Sequence, residues 1–287
     1  MAVGTPEDGG LIDQREFGRG ALRETGIAAR VLAALRAVHG PDVPITPDTL
    51  SPIDHFHRRG VVETEELAAA LQPRASDHLL DIGCGIGGPA RWIAAKYGCR
   101  VTGVDLTQEF CEAARELNRL TGFADRVEIL QGSALSLPAE DESFDRVYSQ
   151  AALMNISDKR GVFREGFRVL RPDGSLALSL AGAGPAGEPR YPLPWATTPD
   201  ISFLATPDEI RGDLLAAGLQ ILFVRDTSAT LAAGLASMIK QLETEGLPPL
   251  GPHVVAGERD KEWRLNITRS LAEGRLSTIE ALARKAA

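Results

Sequence analysis

"LLDIGCGIGGPARW", Leu79 to Trp92, decides the fold. An apolar run closes on Asp81, and four glycines follow within six residues: Gly83, Gly85, Gly87 and Gly88. Helix-forming residues then resume. The order is strand, tight turn, helix. Gly83 and Gly85 permit backbone conformations and close approaches that a Cβ forbids. The helix start offers unpaired N–H groups at its positive end, a place suited to a negatively charged group.

The same order repeats downstream. "RVTGVD", "RVEILQ", "FDRVYSQ", "GSLALSLA" and "LQILFVRD" read as strands. "GPARWIAAKYG", "QEFCEAARELNRLTG", "KRGVFREGFRVL" and "TPDEIRGDLLAAG" read as helices, the last with Thr206 as cap and Pro207 in its first turn. Short apolar strands separated by helices indicate a parallel sheet covered on both faces. Upstream, residues 14–38 carry a helical pattern, and "HGPDVPITPDTLSP" breaks it with prolines. Val62 to Leu71 reads as another helix, and the first ten residues read as loose. Residues 182–199 form a long loop rich in glycine and proline, which suggests a role for it. Leu231 to Thr244 and "ERDKEWRLNITRSLAEG" read as late helices. "RLSTIEALARK" is open between strand, for its β-branched pair, and helix, for its alanines.

Composition narrows the class. With 287 residues and 44% apolar content, the chain can bury an ordinary core. No apolar run is long enough to span a membrane, and "MAVGTPEDGG" lacks a secretory pattern. Three cysteines do not make a disulfide scaffold, so a cytoplasmic setting is expected. A formal charge of −8 argues against nucleic acid as partner. No H-x-x-x-H or C-x-x-C pair occurs, so no metal site is expected.

Gly83, Gly85 and Gly88 fit a dinucleotide fingerprint, with Asp105 where a ribose-binding acid belongs. The same acid suits the ribose of another adenosine cofactor. The residues alone leave both open.

Further motifs lie around this turn. "LLDIGCGIGG", "VTGVDLT", "RVEILQGSALSLP", "SFDRVYSQAALMNISD" and "VLRPDGSLALS" follow in order. Together they resemble the class I S-adenosylmethionine-dependent methyltransferases, over roughly Asp54 to Thr227. "DHFHRRG", "WATTPDISFLATPDEIRGDLLAAGL" and "LAEGR" are similar to the small-molecule branch. That branch includes sarcosine/dimethylglycine, tocopherol-type and bacterial natural-product methyltransferases.

The resemblance implies an α/β, Rossmann-like, seven-stranded sheet. It would be mostly parallel with an antiparallel last strand, helices on both faces and a helical cap. "RLSTIEALARK" would supply the seventh strand. Residues 1–73 would form an N-terminal helical lid and cofactor cover, and residues 74–287 the core. Loop 182–205 and the helical insertion 229–274 would cap the active site.

By the same resemblance, Gly83 and Gly85 face the methionine part of S-adenosylmethionine, and Asp81 holds its ammonium group. Asp105 binds the ribose, while Leu106 and Ala134 flank the adenine. The family commonly has an aspartate where this chain has Ser133. A hydroxyl can also accept a hydrogen bond, without charge assistance. His57 is open between catalytic base, cofactor or lid contact, and structural cap, with Asp54 placed to orient it. His55 alternates around Phe56 and could face solvent. Gln150 should meet the cofactor at the carboxyl end of its strand. Asn155 faces the substrate or stabilises its turn, and Met154 is a substrate contact. Tyr191 and Trp195 either wall a pocket or pin their loop.

The implied function is methyl transfer to a nitrogen, oxygen or carbon of a small-molecule acceptor, with S-adenosylhomocysteine as product. A secondary metabolite is the expected acceptor. Proximity and orientation would supply most of the rate. The alternatives are an NAD-dependent oxidoreductase and a non-catalytic S-adenosylmethionine-binding protein. A homodimer stays open.

Overall fold

The computed structural model describes residues 26–286 apart from 58 and 258. The loose start and the beginning of the helix expected from Gln14 lie outside the described residues. Seven strands form one sheet: β1 (His78–Ile82), β2 (Arg100–Asp105), β3 (Val127–Gln131), β4 (Phe144–Gln150), β5 (Leu170–Ala183), β6 (Gln220–Asp226) and β7 (Leu276–Arg284). Their order is β3-β2-β1-β4-β5-β7-β6. The first five run parallel, and β7 lies antiparallel between β5 and β6. "RLSTIEALARK" is therefore a strand. Six of the nine residues of β7 are buried between two neighbours, and that burial outweighs the helix propensity of its alanines.

The ten helices of the described residues are α1 (Ile27–His39), α2 (Pro47–Asp54), α3 (Val61–Leu71), α4 (Gly88–Tyr97), α5 (Gln108–Leu120), α6 (Lys159–Val169), α7 (Pro207–Ala216), α8 (Ser228–Thr244), α9 (His253–Ala256) and α10 (Asp260–Ala272). Helices α3, α4 and α5 cover one face of the sheet. Leu67, Ile93, Cys111 and Ala114 bury there against Leu79, Val101 and Tyr148. Helices α6 and α7 cover the other face, where Phe163, Ile210 and Leu214 pack on Leu80, Val147 and Leu178. Thr206 caps α7 as expected. Its side chain accepts from Glu209 N, and Glu209 returns a bond to the Thr206 amide.

One expectation fails at the N-terminal side. The proline-rich break contains α2. Thr46 caps it, and Pro47 stands at the first position, where a missing N–H costs nothing. Pro52 cannot bond the Asp48 carbonyl, but the Ser51 hydroxyl donates to that oxygen at 3.1 Å. Helices α1 and α2 form a third layer. Val31, Leu35, Leu50 and Ile53 bury against Ile86 of the glycine turn and against Ala113 and Leu117 of α5.

A fourth cluster sits beyond the carboxyl ends of β4 and β5. Met154, Leu193, Trp195, Leu235, Leu271 and Leu276 bury together, joining the segment after β4 and the long loop after β5 to α8 and α10. No helix among the described residues is long and apolar enough to cross a membrane.

Phe163 is fully buried between α6 and the sheet. Phe163→Ala should lower unfolding free energy by about 3–5 kcal/mol in urea melts. Leu222→Ala, at a side chain 57% exposed, should change it by less than about 0.5 kcal/mol. Equal effects at the two positions would refute this placement of the core.

Candidate active site

The carboxyl ends of β1, β2 and β4 come together, and each delivers one functional group. β1 ends in Asp81 and runs straight into the glycine turn. Gly83, Gly85 and Gly87 all have positive φ, which explains the residue type at each. The amides of Gly83 and Cys84 both donate to Val104 O of β2, at 2.8 and 3.2 Å, so the turn folds over the neighbouring strand.

Asp81 is buried and lies in register opposite Tyr148 of β4. Side chains paired this way point to the same face of the sheet. Burial pushes the Asp81 carboxyl up to about 8; the Tyr148 hydroxyl opposes this and nearby Asp105 reinforces it. Asp81 Oδ2 and the Tyr148 hydroxyl have no hydrogen-bond partner at normal geometry. A buried carboxylate oxygen without a donor calls for one, and an ammonium group is a donor of fitting charge. Tyr148 escaped the sequence reading. Its signal is positional: it stands two residues before Gln150 on the same strand.

Asp105 ends β2. Its Oδ2 accepts from Gly85 N and its Oδ1 from Thr107 N, both at 2.9 Å. Burial raises its pKa, while the bonds from Thr107 and Gly85 hold it down. Each oxygen keeps a further lone pair for a diol. Leu106 follows, 47% exposed, and Leu135 beyond β3 is 46% exposed. Gln131 Nε2 donates to Leu106 O at 3.2 Å and ties the two strand ends together. Ala134 packs partly into the main core. Leu135, not picked out from the sequence, presents the larger apolar surface. The Ser133 hydroxyl accepts from Leu135 N at 3.2 Å, which engages one lone pair in shaping the turn.

Gln150 ends β4 and is buried. Its Oε1 accepts from Thr64 at 3.1 Å, and its Nε2 has no partner. Asn155 stabilises its turn: Nδ2 donates to Ala152 O at 3.0 Å, and the buried Oδ1 has no partner. Lys159 secures this loop. Its buried ammonium donates to Ile156 O at 3.0 Å and also to Phe203 O, while Phe203 N donates to Met154 O at 2.9 Å. Burial lowers the Lys159 pKa to about 8.

The segment 54–57 corrects two expectations. Asp54 is not placed to orient His57. Its Oδ1 meets His55 Nδ1 at 2.9 Å and its Oδ2 meets Arg91 at 2.8 Å. Burial disfavours its charge, but the His55 hydrogen bond and the Arg91 guanidinium outweigh this and hold the carboxyl below its ordinary value. His55 does not face solvent; it is buried beside that carboxylate. A short residue spacing suggested the Asp54–His57 pairing, whereas α2 ends at Asp54 and redirects the chain. His57 is half-buried, with Nδ1 3.4 Å from Gly60 O and its ring perpendicular to that of His55 at 5.7 Å. Tyr191 and Trp195 share the cluster with Met154. Trp195 is 5% exposed and donates from Nε1 to Ser202 Oγ at 3.0 Å, so it pins its loop.

Residues 80–178 match a family model described as a methyltransferase domain. Over that stretch the chain is similar to class I S-adenosylmethionine-dependent methyltransferases. Its sheet agrees, because the simple dinucleotide-binding order has no antiparallel strand between the fifth and sixth. Methyltransferase GfsG of Streptomyces halstedii is 40% identical over 45% of this chain and 46% of its own length. Sarcosine/dimethylglycine N-methyltransferase of Halorhodospira halochloris is 35% identical over 46% of this chain and 47% of its own. The matched region thus spans less than half of each of these curated relatives. Among solved structures, the [4+2]-cyclase SpnF superposes with a TM-score of 0.64 at 22% identity, covering 91% of this chain and 97% of that one, a likeness of fold.

Burial strongly disfavours the charged form of Asp81. Its folded-state pKa of about 8 lies above the unfolded value near 4, so between them the folded state holds the extra proton. Stability from this group is full below about pH 4 and is lost as pH rises toward 8. Asp81→Asn should therefore stabilise the ligand-free protein more at about pH 8 than at about pH 5, in paired thermal melts. An unchanged pH dependence would contradict the buried, unpaired carboxylate.

Proposed function

We propose that this protein transfers a methyl group from S-adenosylmethionine to a nitrogen, oxygen or carbon of a small-molecule acceptor, a secondary metabolite. The observation that carries the reading is Asp81, a buried carboxylate opposed only by the neutral Tyr148 hydroxyl and by no cation of the described residues, beside the glycine turn of the stretch that matches a methyltransferase domain. The methionine ammonium group matches that vacancy in charge and hydrogen bonding. Gln150 Nε2, a buried donor without an acceptor, suits the methionine carboxylate. Asp105 receives the ribose hydroxyls, and the exposed faces of Leu106 and Leu135 receive the adenine, with Ser133 and Ala134 at its edge. His57 serves as a contact on the cofactor side.

When bound, S-adenosylmethionine supplies a methyl group already activated on a cationic sulfur. The protein's task is then alignment and exclusion of water. Asn155 Oδ1 and Met154 stand on the acceptor side, between the cofactor-facing end of β4 and the apolar cluster under α8 and α10. The insertion 229–274 and the loop 182–205 close over that side. With Nδ2 committed to its turn, Asn155 offers its oxygen as an acceptor and cannot take up a proton at neutral pH. Its role is to hold an N–H or O–H of the acceptor. The three buried free thiols support a cytoplasmic setting.

A thermal-shift series with S-adenosylmethionine, S-adenosylhomocysteine and NAD tests the cofactor. A ligand at 100 times its Kd stabilises the folded state by about 2.7 kcal/mol. Both adenosyl-sulfur ligands should raise the melting temperature, NAD should not, and Asp105→Ala should abolish the rise. A response to NAD alone would overturn the reading.

A further inference from the structure

The N-terminal segment is expected, from its resemblance, to be a lid. We infer that residues 47–57 are instead a fixed wall of the cofactor site, pinned by the buried Asp54–Arg91 pair. This inference rests on the methyltransferase reading for the identity of the ligand, and on geometry alone for the pin.

Arg91 lies in the first turn of α4, immediately after the glycine turn, and is fully buried. One terminal nitrogen donates to Asp54 Oδ2 at 2.8 Å, the other to Asn118 Oδ1 at 2.9 Å. Asn118 in turn donates to Val127 O at 2.8 Å, reaching the start of β3. A guanidinium cannot shed its proton to escape burial. If the segment lifted away, Arg91 would be left in the interior with a neutral amide as its only partner. Breaking one side of a buried ion pair is strongly unfavourable for that reason. The charge of Arg91 therefore holds Asp54 in place.

The glycines report the same contact independently. A Cβ on Gly88 would lie 2.2 Å from the Asp54 carbonyl oxygen, and one on Gly87 would lie 2.9 Å from the Arg91 guanidinium. Gly88 does not have a positive φ, so its backbone would accept alanine. What excludes a side chain there is the wall. Gly88 thus makes room for protein rather than for ligand. Next along, Phe56 packs 3.6 Å from where a Cβ of Gly85 would stand, so the pinned segment lies directly on the turn that faces the cofactor. Leu50 and Ile53, both fully buried, fix its other side.

Asp54 and Arg91 are accordingly positioning residues. They act on the cofactor through Phe56 and His57. Hydrogen exchange on the ligand-free wild-type protein is the first test. The amides of Ile53, Asp54 and His55 should already be protected, and adding S-adenosylhomocysteine should change them little. Free exchange that slows only with ligand would mean a moving lid and would overturn the inference; this experiment needs no variant. Calorimetric titration with S-adenosylhomocysteine then compares wild type with Asp54→Asn and Gly88→Ala. A wall closed only a tenth of the time weakens apparent affinity about tenfold. Both variants should show at least that loss, with faster exchange at residues 53–55 and unchanged protection in β1 and β4. Wild-type affinity in both would refute the pin. No binding by the wild type would instead refute the cofactor assignment, leaving the exchange result to decide the wall.

Discussion

A Cβ on Gly83 would lie 2.3 Å from that of Ala152, and one on Gly88 2.2 Å from the backbone of Asp54. Three segments distant in sequence therefore meet at one turn at separations that only glycine allows. The crossing sets everything around it. It brings the end of β4, with Gln150 and the Asn155 loop, against the end of β1. It brings the N-terminal layer down onto α4. It also lets the Gly85 amide reach Asp105 and fix that carboxylate at the end of β2. The sheet could form with a looser turn, but the site could not.

The same crossing explains the electrostatics. Water is excluded where backbones pack this closely, so charges placed there are either paired or strongly perturbed. Asp54 and Arg91 are paired, and Asp54 stays ionised. Asp81 has no countercharge, and its carboxyl is pushed toward neutrality. Both carboxylates are buried against the turn, and their opposite shifts follow from their partners. A ligand cation beside Asp81 would do there what Arg91 does for Asp54. The unpaired group is thus a functional cost set beside a structural pair.

Much of this was legible in the sequence because local rules and the fold agree. The alternation of apolar runs with helical spacing marks strands and helices, and Thr206–Glu209 marks the start of α7. The two acids at the ends of β1 and β2 stand out because each follows an apolar run. What was not legible depends on partners far along the chain. Nothing near Asp54 announces Arg91, 37 residues away. Proximity in sequence favoured His57, and the turn after α2 defeats that logic. Helix α2 was hidden because prolines usually end helices, yet one here occupies the tolerated first position and the other has its lost bond replaced by Ser51. β7 was ambiguous because its alanines suit a helix and only the gap between β5 and β6 makes it a strand.

The loop side of the site follows different physics from the strand-end side. The cofactor groups sit at strand ends, where the sheet fixes them. Met154, Tyr191 and Trp195 sit on loops whose positions come from apolar burial against α8 and α10 and from the carbonyls gathered by Lys159. A sheet tolerates such loops changing in length and sequence, because their contacts are with one another and with the insertion between β6 and β7. Specificity can then drift while the cofactor site stays constant, since folds do not fix substrates. Asn155 spends its amide nitrogen on its own turn and leaves only the oxygen, so the group it offers is fixed in kind as well as in place. A loop held that firmly presents one hydrogen-bond acceptor of fixed direction within an apolar surround.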